Sequence, residues 1–235
     1  MSTRFWLRVA IVLGVGSWLV LAAHAATSAP RPLATTDLGT AIVAVHGGGW
    51  YGGTPAKMNA VCADLASFGD CFQPTYTLSG VASFRDANAD LRDFVLGLRT
   101  EGYTRIIGIG ASAGGNLVAW LAAHDYLDAA VTLSAPTKLT TLADWYRDQC
   151  SCWAIAQFAP SSQKKINASP ALDTVTVPIL IIHSEDETTI PQLQAYKLAE
   201  VSTQPTLEIL PGSAHAMAYW SAVSNDVTTW MEALA

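Results

Sequence analysis

The stretch that decides the fold is "IIGIGASAGGNLVAW", residues 106–120. An apolar run stops in a cluster of glycines and alanines around a single hydroxyl, Ser112, and a helix-forming run follows. Two chemistries use such a strand–turn–helix. One cradles a phosphate on backbone N–H groups, here through a loose G-x-G-x-x-x-G of Gly108, Gly110 and Gly114. That reading expects the turn to follow the first strand, with an acidic residue about 20 positions on at a strand's end. In this chain the turn follows the third strand-like run, and Asp128, at the right distance, begins a strand. The other chemistry places Ser112 in Gly110-Ala111-Ser112-Ala113-Gly114, a Gly-x-Ser-x-Gly turn whose strained serine demands small neighbours two residues away. Ser112 then opens the helix, where N–H groups favour negative charge developing beside it.

A pentapeptide of this kind carries weight only with partners. The first is "HGGGW", His46 to Trp50, directly after the first apolar run. Three consecutive glycines leave peptide N–H groups unobstructed by side chains, which suits an oxyanion hole. Gly48 and Gly49, with the N–H of Ala113, are its candidate donors. A serine hydroxyl also needs a base to take its proton. Of five histidines, His24 lies in the N-terminal segment, His46 fits a loop-fixing role at the end of a buried strand, and His124 follows Ser112 along a helix. His183 closes a strand. His215, in "LPGSAHAM", sits in a small-residue loop past the last strand, at the sheet edge where open α/β sheets hold ligands. An acid to orient it should lie after the preceding strand, where "PILIIHSEDETTIP" offers Glu185, Asp186 and Glu187. Composition does not choose among the three.

Apolar runs and amphipathic stretches alternate along the rest of the chain, which predicts a mostly parallel sheet covered by helices on both faces. Strands are expected at 40–46, at "DCFQPTYTL" (interrupted by Pro74), at 104–110, 127–136, 178–184 and 205–212. Helices are expected at "PAKMNAVCADLASFG", from Ser83 to Gly102, after Ser112, at 191–202 and near the C-terminus. About 40 residues between Pro136 and Pro178 show no strand pattern, and connections of that length carry function or form a lid. The aromatic residues there (Trp145, Tyr146, Trp153, Phe158) suit either a pocket lining or the packing of an insertion onto the body.

The 235 residues are 51% hydrophobic, and the N-terminal segment supplies part of that. Arg4 and Arg8 precede an uncharged run from Val9 to Ala23, then Ala23-His24-Ala25, which reads as a secretory signal peptide over 1–25 followed by a linker over 26–39. The run is shorter than the roughly 20 residues of a membrane span, so no stable span is expected after cleavage. Export permits disulfides, and the local pairing of four cysteines is Cys62 with Cys71 and Cys150 with Cys152. Buried free thiols are the alternative for the first pair. Cysteine and histidine spacing gives no zinc site, and no metal or organic cofactor is expected. A net charge of −6 without a basic stripe argues against a nucleic-acid partner.

Together, "HGGGW", "GASAGGNLVAWLA", "PILIIHSEDETTIP" and "LPGSAHAM" resemble the α/β-hydrolase superfamily, in particular small HGGG-type carboxylesterases of the hormone-sensitive-lipase-like and feruloyl-esterase-like groups. The resemblance covers the chain from about Ala41 onward. It implies a serine hydrolase acting on small-molecule esters, with Ser112 as nucleophile, His215 as base and an oxyanion hole of Gly48, Gly49 and Ala113; the signal-peptide pattern makes the expected location secreted or periplasmic. Relatives usually read His-Gly-x-x-Asp-x-x-Val-Pro in the acid loop. Laid on His183 and Pro191, that pattern puts Glu187 in the acid position and leaves Asp186 as the alternative. Ala111 replaces the aspartate of hormone-sensitive-lipase-like members, and "QPTYTL" matches their Pro-Asp-Tyr-Arg-Leu only loosely; both favour the feruloyl-esterase-like side. A serine peptidase or amidase on the same scaffold, and an inactive binding protein that kept the fold, are the competing readings.

Overall fold

Four of the chain's strands are buried along nearly their whole length, as their unbroken apolar runs require. The computed structural model describes residues 38–79, 84–146 and 152–234, with Cys152 and Trp153 described in backbone only. The signal-peptide expectation and the Cys150–Cys152 pairing therefore fall outside the described residues, as does most of the linker.

The strands are β1 (Thr40–Val45), β2 (Asp70–Phe72), β3 (Arg105–Ala111), β4 (Ala129–Leu133), β5 (Ile179–Ser184) and β6 (Pro205–Leu210). They form one sheet in the order β2-β1-β3-β4-β5-β6, and every pairing is parallel. Successive side chains feed two separate cores. Ala41, Val43, Val45, Ile106, Ala130, Ile179 and Ile181 point to one face. Ile42, Ala44, Ile107, Ile109, Val131, Leu180 and Ile182 point to the other. Period-two alternation between two apolar layers is what a doubly covered sheet needs.

Helices α2 (Phe84–Glu101), α3 (Ala113–Ala123) and α7 (Leu193–Val201) supply the first layer, and α1 (Asn59–Asp64) and α8 (Trp220–Glu232) the second. Met58, Val61 and Leu65 bury the inner face of a short 3-10 turn (Pro55–Met58) and α1. The Cys62–Cys71 disulfide ties that segment to β2. The expected strand at "DCFQPTYTL" shrinks to Asp70–Phe72. Pro74 has no N–H for a ladder, and beyond it Thr77 donates instead to Asp90 Oδ2 at 2.7 Å.

The strandless interval forms α4 (Leu139–Trp145), α5 (Cys152–Phe158), α6 (Ser162–Asn167) and a 3-10 turn at Pro170–Leu172. Its described aromatic side chains divide between the two expected roles. Phe158 packs the insertion down, buried and stacked on Trp50 at a ring separation of 4.4 Å; Tyr146 lines a cavity; Trp145 is exposed and takes neither role. Asn116 of α3 anchors the insertion by donating to Pro136 O and Ala168 O, each at 2.9 Å.

Candidate active site

The turn from β3 into α3 is built for close approach. Ser112 has φ 53° and ψ −121°, a left-handed conformation that non-glycine residues rarely hold. A Cβ at Gly110 would collide with the Gly114 carbonyl, and one at Gly114 with the Val45 carbonyl, so glycine is required at both positions. That contact seats the start of α3 against β1 and β3 and leaves Ser112 at the carboxyl edge of the sheet.

His215 reaches Ser112 from 103 residues downstream: its Nε2 lies 2.9 Å from Ser112 Oγ. Its Nδ1 lies 2.5 Å from Glu187 Oε1. A carboxylate can only accept, so Nδ1 carries the ring proton and Nε2 presents its lone pair to the serine hydroxyl. Glu187 is 5% exposed, and Oε1 also accepts from the Ile190 N–H at 2.9 Å. Asp186 and Glu185 point outward; their backbone N–H groups bond to Gly212 O and Leu210 O, and both residues are exposed. Of the three acids, only Glu187 meets the histidine.

The loop that carries His215 is held from beneath by a network that sequence reading did not single out. Ser184 Oγ donates to Ala214 O at 2.7 Å. The Ala216 N–H donates to Ser134 Oγ at 3.0 Å, and Tyr219 OH donates to Ile182 O at 3.0 Å. With the Tyr219 proton committed to a carbonyl, Ser134 must donate across their 3.0 Å contact. Burial pushes the Tyr219 phenol well above its ordinary range. Serines and a tyrosine spread over 85 positions leave no local motif to find.

The remaining histidines take other places. His46 Nδ1 contacts Gly47 O at 2.8 Å, its ring stacks on Tyr76 at 4.6 Å, and Tyr76 OH donates to His46 O. Burial lowers its proton affinity below that of a free imidazole. His46 thus fixes the glycine loop. His124 bonds Trp120 O and stacks on Trp120. His183 is wholly buried behind the acid loop; burial likewise lowers its proton affinity, against the raising effects of its bond to Ile190 O and of Glu187. Asp128 accepts from Arg99 and from the Ile106 N–H, at the amino end of β3 and far along the strand from the glycine turn. It braces the sheet there, and the phosphate reading loses its acid.

Gly48, Gly49, Ala113, Ser112 and His215 line one partly open cavity of about 410 Å³, bordered elsewhere chiefly by apolar side chains such as Leu142, Tyr146, Ile155 and Met217. Burial, with the charge of Glu187, pushes the Tyr146 phenol up to about 12, so it is neutral at physiological pH. No N–H of Gly48, Gly49 or Ala113 donates to another backbone group outside helix and strand among the described residues. Among those residues there is also no group of three His, Cys, Asp or Glu side chains placed to hold a metal.

An all-parallel sheet with a serine turn after β3 and a histidine loop after β6 defines the α/β-hydrolase class. This chain belongs to that family, the α/β-hydrolase fold, which matches it over residues 42–219. Solved structures agree on the fold. The acetyl ester-xyloside bifunctional hydrolase of Caldicellulosiruptor lactoaceticus is 18% identical over 87% of this chain and 86% of its own, with a TM-score of 0.72. EstE5, soaked with ethyl alcohol, is 22% identical over 82% of this chain and 76% of its own, at 0.71. Esterase Est2 of Thermogutta terrifontis with propionate bound is 20% identical over 89% and 86%, at 0.65. No curated protein matches the chain by sequence.

Proposed function

We propose that this protein is a serine hydrolase that cleaves small carboxylic esters through an acyl-enzyme. The observation that carries the reading is the unbroken relay Ser112 Oγ, His215 Nε2, His215 Nδ1, Glu187 Oε1, with steps of 2.9 and 2.5 Å across its two contacts. Ser112 Oγ attacks the acyl carbon as His215 Nε2 takes its proton, and Glu187 steadies the imidazolium that forms. The N–H groups of Gly48, Gly49 and Ala113 receive the oxyanion. His215 then gives its proton to the departing alcohol, and a water repeats the sequence to release the acid.

The cavity supports small substrates: about 410 Å³ under an apolar roof leaves room for a short acyl chain and a modest alcohol. Structures similar to this one carry such groups, propionate and butyrate in esterase Est2 and p-nitrophenyl butyrate as the soak of EstE5. Insertion 137–176 serves as a partial lid through Leu142, Tyr146 and Ile155. Export to the periplasm or medium fits the N-terminal pattern of residues 1–25 and the Cys62–Cys71 bond. No helix among the described residues is long and apolar enough to cross a membrane.

The direct test is Ser112→Ala. Hydrolysis of p-nitrophenyl butyrate should fall to the background of the assay, and labelling by a fluorophosphonate should cease. A variant that turns over at the parental rate refutes the assignment.

A further inference from the structure

We propose that His183 is the positioning residue of the acid: its Nε2–H, shared between the Ile190 carbonyl and the second oxygen of Glu187, clamps the acid loop in the geometry the relay needs. The inference rests on the relay reading above and extends it by one residue.

The acid loop leaves β5 after Ser184 and carries Glu187 before reaching Ile190. His183 is the penultimate residue of β5, fully buried, and its Nε2 lies 2.7 Å from Ile190 O and 3.4 Å from Glu187 Oε2. Both neighbours are acceptors, so the single proton of the neutral ring sits on Nε2. Nδ1, on the far side, is buried without a hydrogen-bond partner among the described residues. The same Ile190 that accepts from His183 donates its N–H to Glu187 Oε1. A closed circuit results: His183 holds Ile190, Ile190 holds one carboxylate oxygen, and the His183 N–H dipole faces the other.

That second oxygen has no other polar support among the described residues. Glu187 Oε2 is buried and makes no hydrogen bond among the described residues, so the His183 N–H is its recorded polar neighbour. At 3.4 Å the contact is electrostatic and longer than a full hydrogen bond. Relays of this kind commonly tighten only when substrate is bound. Glutamate has one more rotatable bond than aspartate, so its carboxylate needs more restraint to hold one orientation. Without it Oε1 could swing from His215 Nδ1 while the loop stays folded.

A histidine that merely filled space would contribute to stability and leave turnover per active site alone. The test is a double-mutant cycle on p-nitrophenyl butyrate, with kcat and KM normalised to sites titrated by a fluorophosphonate. His183→Leu removes the donor and should lower kcat about 10- to 100-fold, with KM within about threefold, the penalty of a catalytic group displaced by about an ångström. His183→Gln, whose amide nitrogen reaches the place of Nε2, should recover kcat to within about fivefold of the parent. In a Glu187→Gln background, His183→Leu should cost less than about threefold more, because the carboxylate it positions is gone. If His183→Leu does not fold, His183→Asn, too short to reach Oε2, takes its place in the cycle. Parental kcat in the donor-free variant, or the same loss in both Glu187 backgrounds, overturns the proposal. A parent protein that neither takes the label nor hydrolyses the ester overturns the relay itself, a different result from a failed cycle.

Discussion

Replacing Glu187 by glutamine removes one charge while keeping the side chain's size. His215 Nδ1 and Glu187 Oε1 are 2.5 Å apart, which sets the charge centres of an imidazolium and a carboxylate about 4 Å apart. At an effective dielectric of about 20, that pair is worth about 4 kcal/mol, and it exists only once His215 has taken the Ser112 proton. At about 1.4 kcal/mol for each factor of ten, turnover should fall about 1,000-fold. The amide oxygen can still accept from the Ile190 N–H, so the loop should keep its shape and KM should stay within about threefold. Initial rates on p-nitrophenyl butyrate, with thermal melts to show that the variant is folded, measure this. Asp186→Asn is the matched control: it removes the same charge one position away from an exposed side chain and should change kcat by less than about twofold. More than a tenth of parental kcat in Glu187→Gln, or a larger loss in Asp186→Asn, would refute the assignment of the acid.

Three further outcomes are expected. Removing the Cys62–Cys71 bond by alanine at both positions frees a loop of nine residues' separation, costs about 2.5–3 kcal/mol in the chain-entropy account, and should lower Tm by about 5–10 °C in calorimetry. Burial holds His183 and His46 below the ordinary imidazole range, so below about pH 6.5 the unfolded chain binds protons that the folded chain refuses. Their contribution to stability is complete above that pH and is lost as pH falls, by at most about 1.4 kcal/mol per pH unit for each ring; urea unfolding at pH 7 and 5.5 should show a smaller loss in His183→Gln than in the parent. Among the described residues, Lys57 is the one lysine, arginine, aspartate or glutamate side chain that lines the cavity, and it is exposed. An ester bearing a carboxylate should gain about two- to fivefold in kcat/KM over its neutral isostere, and Lys57→Met should abolish that ratio.

What the sequence shows of this molecule follows from which interactions are local. The four central strands are legible because burial on both faces demands apolar runs, and the serine turn because its backbone tolerates only glycine at 110 and 114. The edge strand β2 was overestimated for the converse reason. It is three residues long and half exposed, and Thr and Tyr after Pro74 have β propensity but no neighbouring strand to use it. The acidic triplet was ambiguous because Glu185, Asp186 and Glu187 differ by where the loop turns, which depends on Ile190 and on the Gly212 and Leu210 carbonyls of another segment.

His183 shows the limit most clearly. In sequence it closes an apolar strand and falls on the histidine of the acid-loop pattern seen in relatives, neither of which says what its ring does. Only the position of Ile190, folded back to present its carbonyl to Nε2 and its N–H to Glu187, gives that imidazole two acceptors to face. The same reasoning applies to Ser134 and Tyr219, whose protons are assigned only once the Ile182 carbonyl and the Ala216 N–H lie beside them. Residues that touch the reacting atoms are constrained by chemistry and recur as motifs. Those that hold them are constrained by geometry, so a side chain able to reach the same point with the same donor should serve even where, as at His183, the position belongs to a motif. Hence His183→Gln is expected to work where His183→Leu does not, while no substitution of comparable mildness is expected to be tolerated at Ser112 or His215.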